Sequence, residues 1–441
     1  VNYHFIGVGG IGMSALAGYL LGEGHHVSGS DLNENEYVKK LIKKGLCFKG
    51  NHRAENIQAE IETVIITSAI DSKNEELIAA QAASKKIIKR GQFLAELIVK
   101  MQVIAISGSH GKTTTSGLVA HLLQELNLHP SFILGGTYKN METHFHKGKS
   151  SLCVVEADES DRSFLYLNPT ILSINNIDND HLDNYGSMEN LIDAFSQFAQ
   201  KVKPANQIIN MNCLQLKKMF ENSNCFKVGI KTPSVDLMLE EVSINKNGTV
   251  VKIEFQNKLY EAQFALWGQH NLENLAVALG CVVPFEPNIE KIFPHLATFK
   301  GMKRRMDKIG EFDHNFIYDD YAHHPSEILA LYNMSQKIFT NPLIVHQPHR
   351  YSRVQSCWTE YIDVLKKIKN LKLMEIYPAG EKPLVGINST EILNVLKIDD
   401  SPLINLSELN PLLKNYDAIV FCGAGSISEM ARKWVNENTT R

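Results

Sequence analysis

The chain has 441 residues, 44% of them hydrophobic, and a net charge of −3 with both signs mixed along its length, which allows roughly two to four domains. No basic stripe suits nucleic acid, and no apolar run approaches the ~20 residues of a membrane span, so both partners are excluded. The seven cysteines include no C-x-x-C pair and the N-terminus enters a strand at once, without the basic region of a signal peptide, which predicts reduced thiols and a cytoplasmic location.

Residues 2–100 read as one small α/β unit. A strand over Tyr3–Val8 leads into Gly7-Val-Gly-Gly-Ile-Gly12, a helix follows over Met13–Leu21, and a second strand ends at Ser30-Asp31. The pattern G-x-G-x-x-G with an acid further on is the dinucleotide fingerprint. Gly9 would let a diphosphate approach the backbone, Ser14 would offer a hydroxyl, and Asp31 would accept from a ribose. The pattern specifies a diphosphate-linked nucleoside better than a nicotinamide, though read naively it says NAD; its alternative is a Rossmann-like turn without ligand. A strand over Val64–Thr67 then leads into Ser68-Ala69, and a helix over Gly91–Lys100 leads onward.

Residues 101–301 carry the pattern with the most chemical content. An apolar strand, Val103–Ile106, is followed by Gly108-Ser-His-Gly-Lys-Thr-Thr-Thr115 and a helix from Lys112. Strand, glycine turn and helix in that order suit a phosphate-binding loop, with backbone amides and the helix dipole facing the anion. Lys112 would reach terminal phosphates and Thr113 would offer a hydroxyl to Mg²⁺. The loop is a shortened variant, since the first glycine of the usual G-x-x-x-x-G-K-[ST] pattern would fall at Ile106. Its alternative is an ordinary glycine turn. The next strand ends at Glu156-Ala-Asp-Glu-Ser-Asp161, either a metal-binding carboxylate cluster or a solvated loop. A strand over Thr170–Ile174 leads towards His181, a ligand or a structural histidine. From Val235 to Leu266 the signals turn to β, and Asn247-Gly248 predicts a hairpin. Asn271 and Asn274 then lie three apart on one helix face, suited to one planar ring or to capping and surface roles.

Residues 302–441 read as a third α/β unit. Its strands end in Asp319-Asp-Tyr-Ala-His-His324-Pro, in Gln347-Pro-His-Arg-Tyr-Ser-Arg353 and in Gly423-Ala-Gly-Ser426. Polar clusters at successive strand ends mark one functional face. His323 and His324 are adjacent, which favours substrate contact over metal chelation.

Taken together these stretches, with His270-Asn-Leu-Glu-Asn274 and Tyr377-Pro-Ala-Gly-Glu381, resemble the Mur ligase family. The resemblance is colinear over nearly the whole chain. It implies three α/β domains: a Rossmann-like 1–100 for a UDP-sugar, a central P-loop ATPase domain 101–301 with a small antiparallel β addition, and a Rossmann-like ligase domain 302–441. It implies ATP and Mg²⁺ as cofactors. The activity implied is addition of L-alanine to the lactyl carboxylate of UDP-N-acetylmuramate through an acyl phosphate, in peptidoglycan precursor synthesis. Carried onto this sequence, Gly108, Ser109, His110, Gly111, Lys112, Thr113 and Thr114 serve the nucleotide phosphates, and Thr113, Glu156 and His181 hold the metal. Asn271, Asn274, Arg305 and Asp320 serve the rest of the nucleotide. His324, Arg350 and Arg353 line the reaction centre, and Gly9, Gly10, Gly12, Ser14, Asp31 and Ser68 take the UDP-substrate. Several siblings carry a carbamylated lysine in the helix after the His181 position; here that region reads Ala194-Phe-Ser-Gln, as expected of the alanine-adding branch. Met306 stands where Phe is commoner. The rival within the family is a murein tripeptide recycling ligase, which tends to carry Tyr in place of Ser160. Rivals outside it are an NAD-dependent oxidoreductase and a nucleotide-gated sensor.

Overall fold

The computed structural model describes every residue except 180–181, 246, 313–314, 399–402, 404 and 440–441. It contains three α/β domains, each built on its own sheet. The chain forms two compact units. One comprises Val1–Glu240, Val251–Gln263 and Asn271–Lys300; the other comprises Glu241–Val250, Phe264–His270 and Gly301–Arg441. No helix among the described residues is long and apolar enough to cross a membrane.

The first sheet is parallel and contains β1 (Asn2–Ile6), β2 (His26–Ser30), β3 (Cys47–Phe48), β4 (Thr63–Ile66) and β5 (Lys86–Lys89), in the order β3-β2-β1-β4-β5. The order reverses at β1, so the glycine turn after it opens at the switch point where such sheets bind ligands. The helix that follows, Ile11–Gly22, is buried at every residue from Met13 to Leu20. A helix apolar on all sides needs cover on all sides. Its own sheet covers one side. The other side meets a hairpin from the next domain, so closely that a Cβ on Gly18 would lie 2.1 Å from the Phe145 ring.

The second sheet has ten strands: β6 (Gln102–Ser107), β7 (Ser131–Tyr138), β8 (Thr143–His146), β9 (Leu152–Glu156), β10 (Ile171–Ile174), β11 (Gln207–Asn210), β12 (Phe226–Ile230), β13 (Leu237–Asn245), β14 (Gly248–Phe255) and β15 (Lys258–Phe264). Their order is β15-β14-β13-β12-β11-β10-β6-β9-β7-β8. β6 lies between β10 and β9, parallel to both, and Val103 to Ser107 are all buried. A parallel strand covered on both faces reads as an unbroken apolar run, as this one does. β13, β14 and β15 are neighbours joined by tight connections, and only antiparallel strands can be joined so shortly. β13 and β14 are neighbours around the Asn247-Gly248 pair expected to form a hairpin, with Gly248 already in β14; Lys246 lies outside the described residues. Gly248 is required by close approach, since a Cβ there would lie 2.0 Å from the Phe264 carbonyl.

The third sheet contains β16 (Asp307–Phe312), β17 (Asn315–Asp320), β18 (Pro342–His346), β19 (Leu371–Leu373) and β20 (Ala418–Cys422), in the order β16-β17-β20-β18-β19. β16 is antiparallel to β17 and the rest are parallel. Every residue of β18 and β20 is buried, so their C-terminal ends are held at one level on one face.

Candidate active site

The loop after β6 turns on two glycines in the left-handed half of backbone space, Gly108 at φ +130° and Gly111 at φ +79°. Nothing larger fits at Gly111, where a Cβ would lie 2.2 Å from Asn274 Oδ1. The strand end after β10 braces the loop: Ser109 N–H donates to Asn176 O (3.1 Å) and His110 N–H to Asn176 Oδ1 (2.8 Å). Asn175 Nδ2 donates to Thr115 Oγ1 (2.9 Å), which donates on to Asn274 Oδ1 (3.2 Å). Asn274 Nδ2 then reaches Asn271 Oδ1 at 3.3 Å. Both expected ring-binding amides are therefore buried, with Asn274 turned onto Gly111 and Thr115 of the loop and its helix. His110 Nε2 lies 2.9 Å from Asp178 Oδ2. By helix geometry the first amides of Lys112–Glu125 have no intrahelical acceptor, which leaves them aimed at an anion.

The four acids of this motif are divided among three sets of partners. Glu156 Oε2 accepts from Thr113 Oγ1 (2.9 Å) and from Gly135 N–H (3.0 Å). Gly135 is the reason it comes so close, since a Cβ there would sit 2.4 Å from the same carboxylate. Glu159, nearly inaccessible, binds Lys112 Nζ at 2.8–2.9 Å. Lys112 Nζ also donates to the carbonyls of Gly108 (2.6 Å) and Ser109 (3.1 Å). Burial, partly offset by Lys112, pushes the Glu159 carboxyl up to about 7. Burial would lower the Lys112 ammonium, but the surrounding carboxylates of Glu159, Glu156 and Asp158 outweigh it and keep it charged. Asp158 and Asp161 both meet Arg90, at 3.0 and 3.4 Å. His181 lies outside the described residues.

A cavity of about 350 Å³ is lined by both the first glycine turn and this cluster, among them Gly10, Gly12, Ser68, Glu156, Asp158 and Asp161. At the turn, Gly9 N–H donates to Asp31 Oδ2 (2.8 Å), so Asp31 braces the loop it was expected to complete with a ribose contact. Ser14 is fully buried, its hydroxyl 2.9 Å from His144 Nε2 and 3.0 Å from Ile11 O, so it does not face the cavity.

The second unit gathers the remaining candidates on its strand ends. Buried Asp320 accepts from Met306 N–H (2.7 Å) and Ala322 N–H (2.8 Å), and burial pushes it up to about 6. Arg305 Nη1 lies 3.9 Å from Glu327 Oε1, and its guanidinium stands over the Tyr321 ring. Buried His324 opens helix Pro325–Ile338, with Nδ1 2.8 Å from Ser326 Oγ. Arg350 holds a positive φ of 67° and donates from Nε to Glu381 Oε1 (2.6 Å). Burial would raise Glu381, but bonds from Ser352 and Arg350 outweigh it and hold it at about 2. Arg353 lies one helical turn further, in Tyr351–Ser356.

Sequence reasoning missed Gly135, Arg90 and the particular role of Glu159. Gly135 left one signal, a Gly-Gly pair inside an apolar strand, which marks a close approach. Arg90 left none, since it falls just before the helix expected over Gly91–Lys100.

Comparison with known proteins gives the same assignment over the full length. Residues 2–101 match the Mur ligase family catalytic domain and residues 106–282 the Mur ligase middle domain. The chain is 35% identical over 446 residues to the UDP-N-acetylmuramate–L-alanine ligase of Aquifex aeolicus, covering 99% of this chain and 97% of that protein. It is 36% identical over 443 residues to the enzyme of the same name from Carboxydothermus hydrogenoformans, covering 98% and 95%. The crystal structure of the UDP-N-acetylmuramate–alanine ligase of Thermotoga maritima superposes with a TM-score of 0.85 at 26% identity, covering 100% of this chain and 99% of that one. A murein peptide ligase from Psychrobacter arcticus shares the fold at a TM-score of 0.74 and 20% identity, over 99% and 98% of the two chains. With more than a third of its residues shared along nearly the entire chain, the protein belongs to the Mur ligase family.

Proposed function

We propose that this chain is an ATP-dependent acid–amino-acid ligase that joins the lactyl carboxylate of UDP-N-acetylmuramate to the amine of L-alanine, a cytoplasmic step of peptidoglycan synthesis. The observation that carries the reading is a cavity inside one unit whose lining includes both the first glycine turn and Glu156, the carboxylate that accepts from Thr113 of the phosphate loop. The three sheets then divide the labour: 1–100 for the UDP end of the substrate, 101–301 for ATP, and 302–441 for the amino acid.

Charge governs the chemistry, because a carboxylate must attack the γ-phosphate of ATP and both are anions. The amides of the phosphate loop and the Lys112 ammonium supply fixed positive charge where that repulsion develops. Thr113 and Glu156 present hard oxygen donors in mutual contact, a donor set that fits Mg²⁺. An ion held by these two side chains would supply positive charge against the phosphate oxygens. Once the γ-phosphoryl group has moved to the carboxylate, the alanine amine attacks the carbonyl carbon and phosphate leaves. Arg350 and Arg353 suit the oxyanion and the free carboxylate of alanine. Glu381 holds Arg350 in place for that purpose. Asn271 and Asn274 are the first unit's candidates for the rest of the nucleotide; Arg305, Asp320 and His324 are the second unit's candidates for nucleotide and substrate contact.

The deciding assay is ADP release that requires UDP-N-acetylmuramate and L-alanine together. A methyl group is worth only about 1–3 kcal/mol in a pocket, so glycine and serine are expected to give measurable side activity and leucine almost none. Release driven by a preformed tripeptide in place of alanine would assign the chain to the recycling branch.

A further inference from the structure

The cavity at the domain junction is lined by three carboxylates, Glu156, Asp158 and Asp161, and by one basic side chain among its described residues, Arg90. An anionic substrate has no reason to enter an acidic cavity unless a cation meets it. Arg90 stands at the N-terminus of helix Arg90–Ile98, which connects the first sheet to the phosphate-loop domain. Its Nη2 donates to Asp158 Oδ2 at 3.0 Å and to Asp161 Oδ2 at 3.4 Å, and its side chain is 21% exposed. The two carboxylates fix the guanidinium from one side. On another side it touches the glycine turn: a Cβ built on Gly12 would lie 3.0 Å from Arg90 Nη1 and 3.2 Å from Cδ. Gly12 is therefore small so that the guanidinium can lie against the backbone of that turn.

We infer that Arg90 binds the diphosphate of the UDP-sugar, and that Asp158 and Asp161 position it to do so. This rests on the function proposed above and adds a residue and a division of labour to it. The acid motif after β9 would then serve three ends. Glu156 faces Thr113, Glu159 holds Lys112, and the two aspartates aim an arginine at the other end of the substrate. A guanidinium fork suits this task, because it can donate to a phosphate oxygen while keeping a bond to carboxylate. Held in a partly enclosed cavity, such a bond is worth more than the same pair in water.

The test compares UDP with uridine, which lacks both phosphates, by calorimetric titration of the full-length protein. Arg90→Ala is expected to weaken UDP binding by about tenfold to a hundredfold, the usual range for a hydrogen bond to a charged group, and to leave uridine unchanged. Arg90→Lys keeps the charge without the fork and is expected to fall between wild type and Arg90→Ala. ATP binding, which uses the phosphate loop, monitors folding in each variant, and Arg90→Lys serves alone if Arg90→Ala does not fold. Unchanged UDP binding in a folded variant would overturn the inference. So would an equal loss of UDP and uridine, which would make Arg90 a structural strut. Failure of the wild-type protein to bind UDP at all would instead overturn the assignment of the first domain.

Discussion

At the scale of single residues, the site depends on contacts that tolerate no extra atom. A methyl group at Gly135 would occupy the space of the Glu156 carboxylate, 2.4–2.6 Å away. Gly135→Ala should therefore turn Glu156 away from Thr113 and raise the Mg²⁺ requirement by about tenfold or more, as loss of a supporting contact does at metal sites. A Mg²⁺ titration of initial rates checks this, and an unchanged titration would make the Thr113–Glu156 pair structural. Lys112→Ala removes the ammonium that meets the phosphates and should lower turnover by about 10²–10³-fold. Calorimetry should find UDP-N-acetylmuramate bound as tightly as before, because that ligand belongs to another domain. Asp320 offers a test through pH. Burial raises it to about 6 in the folded protein, above about 3.9 in the unfolded chain, so the folded state holds that proton more tightly. Its contribution to stability is full below the unfolded pKa and is lost as pH rises through the folded one. The melting temperature of Asp320→Asn should thus gain on wild type as pH climbs from about 4 to about 6; a constant gap would mean that Asp320 does not titrate there.

At the scale of elements, periodicity located most strands and several of the helices to within a few residues, but not the 14-residue helix Pro325–Ile338. Apolar runs closed by a glycine turn, such as Val103–Ser107, are legible because a strand buried on both faces has no alternative sequence. The hairpin of β7 and β8 was not legible. Its Gly135-Gly136 pair marks a close approach without naming the partner, and its place in the sheet is set by contact with Glu156 and with helix Ile11–Gly22. The turn between β14 and β15 was equally hidden. Gln256 and Asn257 both take positive φ, 51° and 59°, a geometry usually announced by glycine. Side-chain partners were less legible than elements. The motif Glu156–Asp161 declared a cluster of acids, but which cation each one meets depends on tertiary contacts with Lys112 and Arg90. The Gly18–Phe145 contact provides a test at this level. Gly18→Leu overfills the joint and should destabilise by about 1–3 kcal/mol. Adding Phe145→Ala should recover part of that loss, since the two residues compete for one space. Thermal unfolding of the double variant decides, and additive losses would rule the contact out.

At the scale of the whole molecule, the order in which the sheets can close follows from the order of their strands. The first sheet draws all five strands from the first 89 residues, so it can form as soon as they leave the ribosome. The ten-stranded sheet must wait, because β6 at its centre pairs only with β9 and β10, synthesised later. Helix Ile11–Gly22 belongs to the early sheet but takes its second cover, Phe145, from the late one. At about 5–20 residues per second the nascent chain carries that bare apolar flank for seconds, long enough for a chaperone to engage it. A fragment ending at residue 101 is accordingly expected to self-associate and to bind a hydrophobic dye, and extension through the ten-stranded sheet to abolish both.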